Sequence, residues 1–88
     1  MSPLAKLCPR GTEVQTLLFP RTEFGSHTAV RSWLQKYGED GGRYIDDAPN
    51  FYHVRLRPVT HFAARSLRTK PLGKHGVMAV VGCPRRAS

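Results

Sequence analysis

The chain has 88 residues, of which 14 are Lys or Arg and 6 are Asp or Glu, so its formal net charge at pH 7 is +8. This length supports one small domain rather than two, and 40% hydrophobic residues are too many for a disordered tail. No apolar run approaches the roughly 20 residues of a membrane helix, and the N-terminus lacks the apolar core of a signal peptide, so we expect a cytoplasmic protein.

The first half of the chain predicts a strand followed by a helix. Residues 1–13 contain proline and glycine without periodicity and predict a flexible leader. Residues 14–19 are rich in strand formers and stop at Pro20. Ser26 is a good helix N-cap, and Gly38 supplies a left-handed C-cap. Between them, helical spacing connects four apolar residues, Val30, Trp33, Leu34 and Tyr37. A single helix cannot bury such a face alone, so we expect it to lie across a sheet.

The second half predicts two hairpins. Turn formers at residues 47–50 separate a short strand from residues 51–57, which alternate strictly. One face of this strand carries Tyr52, Val54 and Leu56, and the other carries Phe51, His53, Arg55 and Arg57. Residues 67–72 alternate again, and residues 73–76 form a second hairpin turn. Residues 77–81 are apolar on both faces and predict a central strand.

These elements predict an α+β fold in the order β-α-β-β-β-β, with one helix packed on a small antiparallel sheet. We place the single α+β domain at residues 14–82. Residues 83–88 are predicted to form a frayed basic tail.

The positive charge lies almost entirely in the second half of the chain. Residues 1–50 contain six acids and six bases, whereas residues 51–88 contain eight bases and no acid. Such an imbalance is typical of a chain that binds phosphate, an acidic protein surface or an anionic membrane. We expect nucleic acid or a nucleoprotein complex as the partner and no membrane, and the alternative is that the charge serves solubility alone.

No group of residues in the chain is typical of an active site. Asp46 and Asp47 are adjacent, so on a strand they point to opposite faces and cannot act as a pair. Cys83 and His75 lack a third, orienting group. The Cys and His spacings match no closed zinc site. We therefore expect a non-enzymatic protein without a cofactor or metal.

The two cysteines, Cys8 and Cys83, lie near opposite ends of the chain and belong to no CxxC pair. Reduced thiols are the default in a cytosol, so we expect free cysteines. A disulfide that joins the two ends is the alternative.

The best candidate for a binding surface is the polar face of the strand at residues 51–57. Sheet faces that mix aromatic rings with bases hold single-stranded nucleic acid by stacking and phosphate contacts. If the last two hairpins pair as neighbours, the next strand extends this face, and the tail adds electrostatic support. The candidate residues are Phe51, His53, Arg55, Arg57, Arg68, Lys70, Lys74, Arg85 and Arg86. The alternative is a solvent-facing strand with ordinary charges.

Three motifs carry a resemblance to a known group of proteins. They are Phe19-Pro20-Arg21 at the end of the first strand, Trp33-Leu34 in the helix, and the closing run Gly76-Val77-Met78-Ala79-Val80-Val81-Gly82. In this order they resemble a group of small proteins of tailed phages and prophages. The resemblance implies a phage setting within a host cell and supports the fold, but it supplies no active site.

The sequence thus favours a small basic phage-type protein that binds nucleic acid or a nucleoprotein complex. A special case is an inhibitor of a host defence complex. The alternative is a structural or assembly accessory protein of the phage particle that acts by protein–protein contacts. A homodimer is compatible with either, since an apolar strand at residues 77–81 fits both a covered sheet and a self-association edge.

Overall fold

The computed structural model describes residues 11–73 and 75–85 of the chain. One helix, α1 (His27–Lys36), follows the first of five strands. The strands are β1 (Glu13–Pro20), β2 (Asp46–Asp47), β3 (Phe51–Arg55), β4 (Arg68–Pro71) and β5 (Met78–Gly82). The predicted order β-α-β-β-β-β and the α+β class are confirmed.

The five strands form one sheet in the order β2-β3-β1-β5-β4, and every neighbouring pair is antiparallel. Strand β5 lies between β1 and β4, as its apolar composition predicts, so it is a covered strand and not a free edge. The edges are β2, which has two acidic residues, and β4, in which all four residues are exposed.

Helix α1 begins and ends where the sequence predicts. The Oγ of Ser26 accepts a hydrogen bond from the backbone N–H of Ala29 at 3.3 Å. At the other end Gly38 has a φ of 83°, and the N–H of Glu39 donates to the carbonyl of Leu34 at 2.7 Å. These bonds satisfy backbone groups that a helix end leaves unpaired.

The helix covers one face of the sheet and leaves most of the other uncovered. Val30 and Leu34 of α1 are fully buried against Leu17, Val54 and Ala79, which oppose one another across β3, β1 and β5. Side chains alternate between the two faces of a strand. We call the side away from the helix the open face, and it carries Thr16, Leu18, Phe51, His53, Arg55, Met78 and Val80.

A loop between β3 and β4 covers one end of the open face. Phe62 is 2% exposed and forms an antiparallel bridge with Pro84. The N–H of Ala63 donates to the carbonyl of Cys83 at 2.7 Å, and the N–H of Arg85 donates to the carbonyl of His61 at 2.8 Å. The prediction of a frayed tail is therefore wrong for residues 83–85, because their backbone groups are paired with this loop.

The first strand begins one residue before the predicted start of the domain, and the last strand ends at the predicted residue. Glu13, assigned to the leader, is the first residue of β1, and Gly82 is the last residue of β5. Leader residues 11 and 12 belong to no helix or strand, whereas residues 1–10 and tail residues 86–88 lie outside the described residues.

The expectation of free cysteines is wrong for Cys83. This residue is fully buried and disulfide-bonded. Its backbone N–H also donates to the Oγ of Ser66 at 3.0 Å. Spacing along the sequence does not reveal which thiols meet in space, and the other cysteine, Cys8, lies outside the described residues.

Among the described residues, no helix has the length and apolar character that crossing a membrane requires.

Candidate nucleic-acid interface

The open face contains a groove of about 680 Å³, which we call the open-face groove. Its floor is the sheet surface formed by Thr16 of β1 and by His53 and Arg55 of β3. Val59, which is 56% exposed, lines it from the loop that follows β3. The groove therefore lies beside β3 on the side of the sheet that the helix does not cover.

The segment before β2 supplies a further side of the groove. Ile45 is 4% exposed and packs in the core, so the alternation of an extended chain turns Tyr44 and Asp46 the other way. Both line the groove. Tyr44 is 80% exposed, which leaves its ring free to stack. Asp46 lies opposite His53 in the β2–β3 register.

Arg43 also lines the groove, and the helix fixes the segment to which it belongs. The Nη1 of Arg31 donates to the carbonyls of Gly41 and Arg43 at 2.8 and 3.1 Å. Arg31 is thus a positioning residue, because it ties the loop after α1 to the helix.

The guanidinium of Arg43 makes only long hydrogen bonds. Its Nη1 donates to the carbonyls of Arg55 and Leu56 at 3.3 and 3.4 Å. Its Nε is buried and has no hydrogen-bond partner among the described residues. An unsatisfied buried donor costs about 1–3 kcal/mol, so the contacts within the described residues leave the guanidinium of Arg43 incompletely satisfied.

The charged groups of the groove are unpaired. The three ion pairs among the described residues join His27 to Asp47, and both Arg57 and His61 to Glu13. None of them involves a groove residue. Two guanidinium groups and one carboxylate therefore face the same groove without a partner of opposite charge within hydrogen-bonding distance.

Of the predicted binding residues, three lie on the open face. His53 and Arg55 line the groove. Phe51 lies two residues from His53 on the same face, opposite Pro20 of β1, and is half-buried.

Arg57 has a structural role instead. Strand β3 ends at Arg55, and beyond it the Nε of Arg57 lies 3.1 Å from the carboxylate of Glu13. Its Nη1 donates to the carbonyl of Val14 at 2.8 Å. These contacts hold the end of β3 against the start of β1.

The expectation that Arg68 and Lys70 extend the face of Arg55 is wrong. Strands β1 and β5 lie between β3 and β4, so the two hairpins are not neighbours. Arg68 opposes Val81 and Lys70 opposes Ala79, and directly opposed residues share a face. Because Ala79 and Val81 belong to the core, Arg68 and Lys70 lie on the side of the helix.

The three remaining candidates lie elsewhere. Arg85 is exposed, and its Nε donates to the carbonyl of Thr60 at 3.1 Å. Lys74 and Arg86 lie outside the described residues.

The sequence reasoning missed Arg43, Tyr44 and Asp46 as members of one site. The signal was the alternation around Ile45, a lone apolar residue between polar neighbours. That pattern was too short to interpret without the register that places β2 beside β3.

Within the described residues no group of three or more His, Cys, Asp and Glu side chains could hold a metal ion. Comparisons with protein-family models, with curated proteins and with solved structures found no match to this chain.

Proposed function

We propose that this protein binds single-stranded nucleic acid, alone or in a nucleoprotein complex, through the open-face groove and without catalysing a reaction. The observation that carries the proposal is the convergence of two unpaired guanidinium groups, Arg43 and Arg55, with the exposed ring of Tyr44.

The arginines suit phosphate. A guanidinium presents several N–H donors in a planar fork that matches phosphate oxygens, and such charge-assisted bonds are stronger than neutral ones. A phosphate at Arg43 would replace hydrogen bonds of 3.3 and 3.4 Å with stronger ones.

The tyrosine suits an unpaired base. Stacking of a base on an aromatic side chain contributes about 1–3 kcal/mol and requires that the base be accessible. Tyr44 offers a ring face beside the arginines, and Phe51 offers a second, partly buried ring on the same side of the sheet.

Duplex DNA fits this molecule less well. Reading a duplex usually requires a helix or a ribbon that enters the major groove. Helix α1 carries only Arg31 and Lys36 as bases, and Arg31 is bonded to the loop that follows the helix.

From the predicted resemblance to small phage and prophage proteins, we propose that this binding takes place within an infected cell. Inhibition of a host defence nucleoprotein complex would be a special case of this binding, in which the groove takes a guide or target strand. This inhibitory role would place the protein in the cytoplasm of the host.

Binding is tested by fluorescence anisotropy with short single-stranded and duplex DNA and RNA over a series of salt concentrations. We expect a single strand to bind most tightly and its affinity to fall steeply with salt, with a logarithmic slope of about −3. Arg55→Glu should lower the affinity at least about tenfold, because it places a negative charge beside the bound phosphate.

Arg68→Glu is the matched control, since it changes the net charge equally on the opposite side of the sheet. We expect it to change the affinity less than about threefold at physiological salt, where screening is strong over about 8 Å. Equal losses for the two variants would indicate binding by net charge alone. No binding at about 50 mM salt would contradict the proposal and favour protein–protein docking, as in an assembly accessory protein of the phage particle.

A further inference from the structure

The open-face groove contains one feature that phosphate binding does not explain, the carboxylate of Asp46. This side chain is exposed, lines the groove and takes part in no ion pair among the described residues. A carboxylate repels phosphate and accepts hydrogen bonds, so in a groove that holds a nucleic acid it suits a part of the ligand that donates hydrogen bonds.

Unlike its neighbour Asp47, Asp46 makes no ion pair with another element among the described residues. Asp47 lies on the helix side of β2, opposite Tyr52, and its carboxylate lies 2.6 Å from the Nε2 of His27 at the start of α1. The fold thus uses Asp47 to join β2 to the helix. Asp46 points to the other face, where its cross-strand neighbour is His53.

We propose that Asp46 makes the groove selective for guanine. This inference rests on the proposed function, since it concerns the base that accompanies a phosphate at Arg43 and Arg55. The two oxygens of a carboxylate accept two parallel hydrogen bonds, and guanine offers two adjacent donors, N1–H and the 2-amino group, on its Watson–Crick edge. Adenine and cytosine each offer one amino group beside a ring nitrogen that accepts, which would face a carboxylate oxygen unfavourably.

The arrangement of the groove fits one nucleotide of this kind. Tyr44 and Asp46 lie two residues apart on the same side of an extended segment, roughly 7 Å apart along the chain. A base stacked on Tyr44 can therefore direct its edge towards Asp46. Arg43 and Arg55 then lie beside it for the flanking phosphates.

The test uses eight-nucleotide oligothymidylate or oligouridylate, whichever backbone binds more tightly in the salt titration. One central position carries guanine, hypoxanthine, adenine or cytosine. We expect the guanine oligonucleotide to bind at least about fivefold more tightly than the adenine or cytosine ones, as one bidentate contact would allow. Hypoxanthine lacks the 2-amino group and should fall between them.

Asp46→Asn should abolish the preference for guanine and should raise the affinity for the unsubstituted oligonucleotide, because it removes a negative charge from the groove. Asp47→Asn is the matched control, as it removes the same charge from the other face, and the guanine preference should persist in it. The comparison of guanine with hypoxanthine uses the unmodified protein. A folding defect in the Asp46→Asn or Asp47→Asn variant therefore does not affect it.

The outcomes separate the two proposals. If no oligonucleotide binds, the proposed function itself fails. If all oligonucleotides bind equally well, or if Asp46→Asn keeps the preference, nucleic-acid binding stands and the guanine inference is overturned.

Discussion

Gly82 lies where the loop after β3 crosses the open face. A Cβ atom at this position would lie 2.8 Å from the Cδ2 of Leu67 and 3.0 Å from the Cδ1 of Phe62. Phe62 is buried and bridged to Pro84, so it has little room to move. The absence of a side chain at residue 82 therefore lets the loop cover this end of the sheet.

Gly82→Ala should lower the free energy of unfolding by about 1–3 kcal/mol, because the added methyl group overpacks this contact. Urea denaturation followed by circular dichroism measures the change. Gly25→Ala is the control, since no atom lies within 4 Å of a Cβ placed there. Equal stability of the Gly82→Ala variant and the unmodified protein would show that Leu67 and Phe62 move aside freely.

At the scale of elements, α1 is the one α-helix within the described residues, and it covers one face of the sheet. It buries Val30 and Leu34, and its start is joined to β2 through His27 and Asp47. Its N-terminal turn depends on the hydrogen bond from Ala29 to Ser26. Without that bond, the backbone N–H of Ala29 can donate only to water.

Ser26→Ala should therefore destabilise the protein by about 1 kcal/mol, which lowers the Tm of a domain of this size by about 4–8 °C. Thermal denaturation measures this shift. Ser32→Ala, an exposed change within the same helix, should leave the Tm unchanged or slightly higher, since alanine is the better helix former. A Tm unaltered by Ser26→Ala would mean that the cap contributes nothing.

The two edge strands carry features that oppose pairing with another sheet. Just after β4, the N–H of Leu72 donates to the carbonyl of Val77, which lies just before β5. Hydrogen-bonded and non-hydrogen-bonded positions alternate along an antiparallel pair, so the backbone groups of Thr69 and Pro71 point away from β5. Pro71 has no N–H to offer, and β2 is a pair of aspartates. Such edges disfavour strand addition. They therefore do not support a homodimer that forms by strand pairing, and the homodimer stays a prediction.

At the scale of the whole molecule, Cys83 joins the chain beyond β5 to the loop after β3 and also carries a disulfide. Cys83 is fully buried, and its backbone carbonyl and N–H bond to Ala63 and Ser66 of the loop. Disulfides are rare in reducing compartments. If the protein works in the cytoplasm, as predicted, we therefore expect this disulfide to be reduced there.

Reduction should lower the Tm by about 10–20 °C, because a disulfide contributes about 2–4 kcal/mol in a small domain. The measurement is a pair of thermal denaturation curves with and without dithiothreitol. Cys83→Ser should melt at the lower temperature under both conditions, which separates loss of the disulfide from other effects of the reductant. Coincident curves for the unmodified protein would contradict a stabilising role.

Most of the fold could be predicted from the sequence because it depends on neighbours along the chain. Ser26 and Gly38 mark the ends of α1 through bonds that span three to five residues. The alternation of Tyr52 and Val54 with His53 separates the two faces of β3 in the same local way. Even β5 was predicted as a central strand, since it is apolar on both faces.

The site was predictable only in part, because it depends on which strands meet. His53 and Arg55 share a face through local alternation, and the sequence therefore placed them together correctly. It could not place Arg43 and Tyr44 beside them, because β2 is only two residues long. It also grouped Arg68 with Arg55, although two strands separate them.

The sequence by itself determined the helix, the alternating strands, the turns and the concentration of positive charge after residue 50, since each follows from residue type and spacing. Only the tertiary structure decided that β1 lies between the two hairpins, and hence which bases share a face. The reason is physical: β1 carries buried side chains towards the helix along its whole length, so burying it in the centre of the sheet stabilises the fold more than pairing the hairpins directly would. That gain depends on contacts between distant parts of the chain, which local patterns do not contain.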